Sequence, residues 1–178
     1  KMDRIGANLY AAVASIKERL GAHAVPVQLP IGAESEFKGM VDLVTEEAII
    51  YTDDLGTSLR RSEIPESMRE QVAQYRHELL EAVAESDDEL MIKYLDGETL
   101  TTDEILRGIR AGTVNTNLVP VLCGSALKNK GVQPMLDAVV DFLPSPLDRP
   151  SVEGAAVEGE TAAIRNASDS EPFAALAF

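Results

Sequence analysis

The sequence is poor in residues that support covalent or metal-centred chemistry. Cys123 is the single cysteine among 178 residues, which excludes a disulfide within the chain. With only His23 and His77 beside it, little is left for a Cys/His zinc site. Basic residues are also scarce: sixteen stand against thirty acidic ones, a formal net charge of −14. Phosphate contacts need clustered Lys and Arg, so the balance argues against a general nucleic-acid-coating surface. No apolar run reaches the roughly 18 residues of a membrane span, and the N-terminus has no signal-peptide apolar region. A reducing, cytosol-like compartment is therefore expected. None of the twelve glycines is followed by lysine, so the phosphate-cradling loop that needs a Gly-Lys step cannot occur, and G-x-G-x-x-G is absent too.

What is present is an ordinary globular balance, 45% apolar and 26% charged residues, enough for one sizeable core or two small ones. The chain opens at Lys1-Met2-Asp3 and closes inside an apolar run, Phe173 to Phe178, and is expected to be an excerpt of a longer protein. Charge is unevenly spread. Residues 1–24 carry a net +2, 25–115 a net −12, 116–147 zero and 148–178 a net −4. An acidic insert between near-neutral flanks is the first expectation.

Hydrophobic periodicity supports that division. Ile5, Leu9, Ala12, Val13, Ile16 and Leu20 recur every three or four positions, predicting an amphipathic helix over residues 4–20 that ends at Gly21. Val25 to Leu29 alternates, and Met40–Val44 with Ala48–Thr52 predict a hairpin. A long helix follows Pro65 through Val72, Tyr75, Leu79 and Val83. Shorter ones are expected at Asp87–Leu95 and Thr102–Ala111, the second capped by Thr101 or Thr102. Leu118–Cys123 carries no charge and predicts a buried strand, followed by a helix over residues 132–143. Residues 148–171 hold little apolar material and read as a linker.

Few motifs carry chemistry. Asp53-Asp-Leu-Gly56 fits D-x-x-G, but it stands between two strands and is read as a turn. Lys1-Met-Asp3 has the spacing of the guanine-reading tetrapeptide Asn-Lys-x-Asp without its Asn. A carboxylate at Asp3 can accept from N1–H and N2–H₂ of guanine, an edge adenine does not offer. The Lys1 stem can lie along the base. Gly124-Ser125-Ala126-Leu127-Lys128 follows the expected strand and precedes a helix; small residues there let backbone N–H groups approach a ligand such as guanine O6. Each alone reads as a helix start or a plain loop, and together they form a candidate base-binding half-site. Glu78, Glu81, Glu85 and Asp88 recur at helical spacing and form an acidic stripe, which as a bare pattern is a solvated face. Cys123 reads as a small buried apolar group, not a nucleophile.

On these motifs the sequence resembles bacterial-type elongation factor G, the translocase among the translational GTPases. The matching segments, in order, are Lys1–Arg4, Pro26–Gly32, Phe37–Leu43, Gly124–Gly131 and Glu171–Phe178. The resemblance implies an α/β fold: the C-terminal part of a P-loop-type GTPase domain (residues 1–24 and 116–147) with an inserted α+β subdomain (25–115). Residues 172–178 are then the start of a β-barrel second domain. It implies guanine contacts by Lys1, Asp3, Ser125, Ala126 and Leu127, with GTP or GDP as nucleotide and the Mg²⁺ ligands and hydrolytic residues outside this stretch. The excerpt alone is expected to be inactive, with no catalytic residue and no metal site. The ribosome is the implied partner, with the C-terminal domain of its stalk protein meeting Glu78, Glu81, Glu85 and Asp88. A cytoplasmic or organellar location and no membrane contact follow. The competing reading is a non-catalytic acidic interaction module in which the two base-reading motifs are coincidence.

Overall fold

The structure, a computed structural model, describes residues 1–148, 150–155, 162–173 and 175. The chain divides into two compact units, residues 1–143 and 144–178.

In the first unit, α1 (Leu9–Leu20) begins at Asn8, whose side chain accepts from the Ala11 amide, and ends at Gly21 in a left-handed conformation. The expected start at residue 4 is not met. Residues 1–7 form turns instead, with the Arg4 amide bonded to the Lys1 carbonyl and the Ala7 amide to that of Arg4. Periodicity at Ile5 misled because Ile5 is exposed, and the Asn8 cap sets the boundary.

Ala24 to Leu29 is buried throughout and does not alternate. The reason is that it serves two sheets. Strand β1 (Ala24–Pro26) pairs in parallel with β6 (Val119–Val121), while β2 (Gln28–Ile31) opens an antiparallel sheet with β3 (Gly39–Asp42), β4 (Glu47–Tyr51) and β5 (Leu59–Ser62). The predicted hairpin is β3–β4, paired Gly39 to Ile50 through Asp42 to Glu47. Strand β5 has no signal in the sequence: Leu59-Arg-Arg-Ser62 is an edge strand with a largely exposed, charged surface, and its ladder to β4 defines it.

Three helices follow and pack against one another. They are α2 (Arg69–Ala84), α3 (Asp88–Leu95, capped by Asp87) and α4 (Thr102–Val114). A capping box starts α4: the Thr101 hydroxyl accepts from the Glu104 amide, and the Glu104 carboxylate accepts from the Thr101 amide. Leu79, Leu90, Ile105 and Ile109 are fully buried where the three meet. Gly108 permits that approach, since a Cβ there would lie 2.6 Å from Val83 Cγ1 and 3.0 Å from Leu90 Cδ1. The tilted pair of Tyr10 and Tyr75, centroids 5.6 Å apart, joins α1 to α2.

The expected buried strand at Leu118–Cys123 is corrected by the structure. Only Val119–Val121 is strand, Leu118 and Cys123 are buried at its ends, and Val119 is 42% exposed. Within its two-stranded sheet β6 has β1 as its one neighbour among the described residues. Helix α5 (Val132–Phe142) follows, with Phe142 buried but Met135, Leu136, Val139 and Val140 exposed.

In the second unit, the stretch read as a linker contains a short hairpin: β7 (Val152–Ala155) pairs antiparallel with β8 (Ala162–Arg165). The predicted strand over 172–178 lies largely outside the described residues, and Pro172 and Phe173 have no regular structure. Among the described residues, no helix is long and apolar enough to cross a membrane.

Candidate functional site

The two candidate motifs, far apart in sequence, meet. Ser125 is fully buried, and its hydroxyl donates to Asp3 Oδ1 at 2.6 Å. The main-chain nitrogens of Lys1 and Met2 both donate to the Gly124 carbonyl, at 2.9 and 3.0 Å. These bonds lay the Lys1–Asp3 turn alongside the Ser125 loop and fix the direction of the Asp3 side chain, which is only 14% exposed. The Ser125 hydrogen bond holds the Asp3 carboxyl below its ordinary pKa, with lesser help from its own backbone and the Arg4 guanidinium, against an opposing desolvation. Asp3 is thus ionised near neutrality and acts as an acceptor only.

The Ser125 loop is a tight bend. The Ser125 amide donates to the Lys130 carbonyl at 2.8 Å, and the Ser125 carbonyl accepts a reciprocal bond from the Lys130 amide at 3.0 Å. Between them Ala126–Lys128 makes a 3-10 turn that ends on left-handed Asn129. Ala126 and Leu127 are exposed, and their N–H groups lead the turn, where the first donors of a helix have no partner within it. Gly131 closes the loop at φ +88°, and a Cβ there would sit 2.8 Å from the Cys123 carbonyl oxygen. Lys1 is exposed beside the same loop. The structure therefore gathers Lys1, Asp3, Ser125, Ala126 and Leu127 into one place: an ionised acceptor next to backbone donors, a set suited to a planar base carrying both N–H and carbonyl groups.

The acidic stripe is partly redrawn. Glu78 and Glu81 stand on α2, and Glu85 is its C-terminal cap residue. Asp88 does not share that helix. The chain turns at Ser86, whose hydroxyl bonds the Ala82 carbonyl at 3.0 Å, and Asp87 caps α3 by accepting from the amides of Glu89 and Leu90. A cap residue that competes for backbone donors outranks the continuing carboxylate spacing. Glu78, Glu81 and Glu85 line a shallow groove together with Lys17 and His23, so this face is not uniformly acidic.

Other chemical candidates resolve into structure. Burial pushes the Cys123 thiol up to about 12, which leaves it protonated and unreactive. The D-x-x-G segment is a turn, as expected: the Asp53 carboxylate accepts from the amides of Thr57 and Ser58, each at 3.0 Å, and from the Thr57 hydroxyl at 2.5 Å. Side-chain contacts occupy His77, its Nδ1 3.2 Å from the Tyr94 hydroxyl on α3 and its Nε2 3.5 Å from Glu81 one turn on in α2. Among the described residues no cluster of three His, Cys, Asp or Glu could hold a metal ion.

Sequence reasoning missed the residues that support this site, Glu34, Tyr51 and Gln133. They act across separations of 28 to 82 residues, where no local pattern exists.

Comparison with known proteins places the chain. The profile of the family described as elongation factor Tu GTP binding domain matches residues 1–145. Among solved structures, a crystal structure of a Thermus thermophilus protein is similar at 30% sequence identity and a TM-score of 0.70. The match covers 82% of this chain and 22% of that one, so the chain spans about a fifth of the Thermus protein's length.

Proposed function

The chain belongs to the elongation factor Tu GTP binding domain family, and from that premise we propose that it supplies the guanine-reading half of a translational GTPase. One observation carries the reading: the 2.6 Å bond from Ser125 to Asp3, which joins two loops 122 residues apart into one base-sized recognition surface. In this reading the ionised Asp3 accepts from N1–H and N2–H₂ of guanine, the Ala126 and Leu127 amides face O6, and the Lys1 stem covers the ring. Ser125 serves by orienting Asp3.

The residues here fit a base and not a triphosphate. With no Gly-Lys step in the chain, the groups that bind phosphates and Mg²⁺ are assigned to the remainder of a longer protein resembling elongation factor G. That full-length protein is a GTPase of ribosomal translocation, and this chain alone does not hydrolyse GTP. Residues 25–115 form its inserted subdomain. Glu78, Glu81 and Glu85, with Asp88 on the adjoining helix, meet the basic C-terminal domain of the ribosomal stalk and act mainly by steering encounter.

Base exchange tests the central reading. Asp3→Asn in the full-length protein weakens GTP binding by roughly ten- to a hundredfold and favours xanthosine triphosphate, whose C2 oxygen accepts from an amide. Unchanged GTP affinity with continued rejection of xanthosine triphosphate would remove Asp3 from the site. For the docking face, stopped-flow association with ribosomes at two salt concentrations is the measure. Glu81→Lys with Glu85→Lys lowers both the rate and its salt slope, and wild-type values for both return the stripe to a solvated surface.

A further inference from the structure

The base-reading loops are both braced by the four-stranded sheet, although neither belongs to it. At one end, the loop after β2 reaches the Lys1–Ala7 turn through Glu34. The Glu34 amide donates to the Met2 carbonyl at 2.8 Å, and its Oε1 accepts from the Gly6 amide at 2.7 Å. Those two bonds grip the turn on either side of Asp3. Glu34 adopts φ +57° to make them, a left-handed conformation that costs a non-glycine residue free energy and persists only where surrounding contacts enforce it.

At the other end, the β4–β5 hairpin holds the Ser125 loop. The Tyr51 hydroxyl accepts from the Gly131 amide at 2.8 Å and donates to Gln133 Oε1 at 3.0 Å. The Gly56 carbonyl at the hairpin tip accepts from Asn129 Nδ2 at 3.1 Å and Gln133 Nε2 at 3.2 Å. This approach needs glycine: a Cβ at residue 56 would lie 2.5 Å from the carbonyl oxygens of both Lys128 and Asn129.

Resting on the proposal that Asp3 and the Ser125 loop read guanine, we infer that Glu34 and Tyr51 are positioning residues for base discrimination. The sheet fixes the spacing between the carboxylate and the loop that faces it. A hydrogen bond weakens steeply with misalignment, so a few tenths of an ångström between two surface turns decides whether the guanine N2 contact is made. Neither residue needs to touch nucleotide, and nothing in their arrangement bears on phosphates. Loosening either brace therefore costs discrimination at N2 more than it costs nucleotide binding as a whole.

The test uses the full-length protein and compares affinities for GDP and inosine diphosphate, which lacks the N2 amino group. Wild type prefers GDP. Glu34→Ala and Tyr51→Phe each lower that preference by roughly three- to tenfold, chiefly by weakening GDP, while thermal unfolding midpoints stay close to wild type. Glu34→Gln keeps an acceptor for the Gly6 amide and restores the preference. An unchanged GDP preference in both variants, with Asp3→Asn abolishing it, overturns the positioning role and leaves the base-reading proposal standing. A preference that survives Asp3→Asn overturns the base reading, and the positioning role with it. A parallel loss of affinity for both nucleotides marks Glu34 and Tyr51 as merely structural and also overturns the inference.

Discussion

The helical layer of residues 69–114 and the β6–α5 segment of residues 119–142 are both amphipathic, yet they dispose of their apolar faces in opposite ways. Helices α2, α3 and α4 bury Leu79, Leu90, Ile105 and Ile109 completely against one another. Helix α5 leaves Met135, Leu136, Val139 and Val140 open, Val140 at 78%, and among the described residues the adjoining β6 pairs with β1 alone. Periodicity announces that a face is to be covered without naming its cover. The charge runs the other way: the acidic stretch is the one with the closed core, because its carboxylates sit on outer faces and at helix caps, where they cost nothing in packing.

The contrast can be broken most forcefully from inside. Ile109→Ala removes buried methylenes from the α2–α3–α4 junction and is expected to lower unfolding free energy by about 2–5 kcal/mol, whereas Val140→Ala on α5 changes it by less than about 0.5 kcal/mol. Urea unfolding of the two variants measures both. Equal losses would mean that the α5 face is covered in solution.

Overpacking probes the same junction with a smaller effect. Gly108→Ala places a methyl 2.6 Å from Val83 Cγ1, and neighbours on two helices must yield. The expected cost is about 1–3 kcal/mol. A stabilised variant, as helix propensity alone predicts, would show that the close approach has slack.

Capping separates the two regions as well. The Thr101 hydroxyl caps α4, while α5 starts at Gly131 with no side-chain cap. Thr101→Ala is expected to cost about 1 kcal/mol, read as a lower denaturation midpoint with an unchanged slope.

The smallest effect is a matter of pH. Glu104 bonds Lys93 across α3 and α4 as well as the Thr101 backbone and hydroxyl, and these partners, Lys93 foremost, lower its carboxyl from 4.5 to about 2. A depressed folded-state pKa gives stability that is whole above the unfolded value and lost as pH falls through the folded one. The stability difference between wild type and Glu104→Gln should therefore be flat above about pH 5 and shrink toward pH 2. A difference that does not vary over this range would show the carboxylate to be unpaired in solution.

Much of the local structure was legible. Gly21 stops α1 in the left-handed conformation that its lack of a side chain allows, Thr101 and Glu104 form their box within four residues, and Asp53 ties its own turn. Each of those signals acts over a few positions, so the sequence displays it directly. Charge placed the acidic stretch, and the two half-motifs Lys1-Met-Asp3 and Gly124–Lys128 could be picked out by their chemistry.

What tertiary structure decided involves partners with no fixed sequence offset. Strand β5 exists because β4 offers it a ladder, not because Leu59-Arg-Arg-Ser62 favours extension. Ala24–Leu29 is buried on both faces because it passes from a parallel pair into an antiparallel sheet, which erases alternation. Asp87 took the cap of α3 and moved Asp88 off the stripe that its spacing suggested. The sequence determined on its own that Asp3 can accept from a base edge and that Ser125 stands in a loop of small residues. Only folding could bring them to 2.6 Å and brace both loops through Glu34 and Tyr51, because hydrogen bonds are specified by position in space and a separation of 122 positions along the chain carries no trace of that distance.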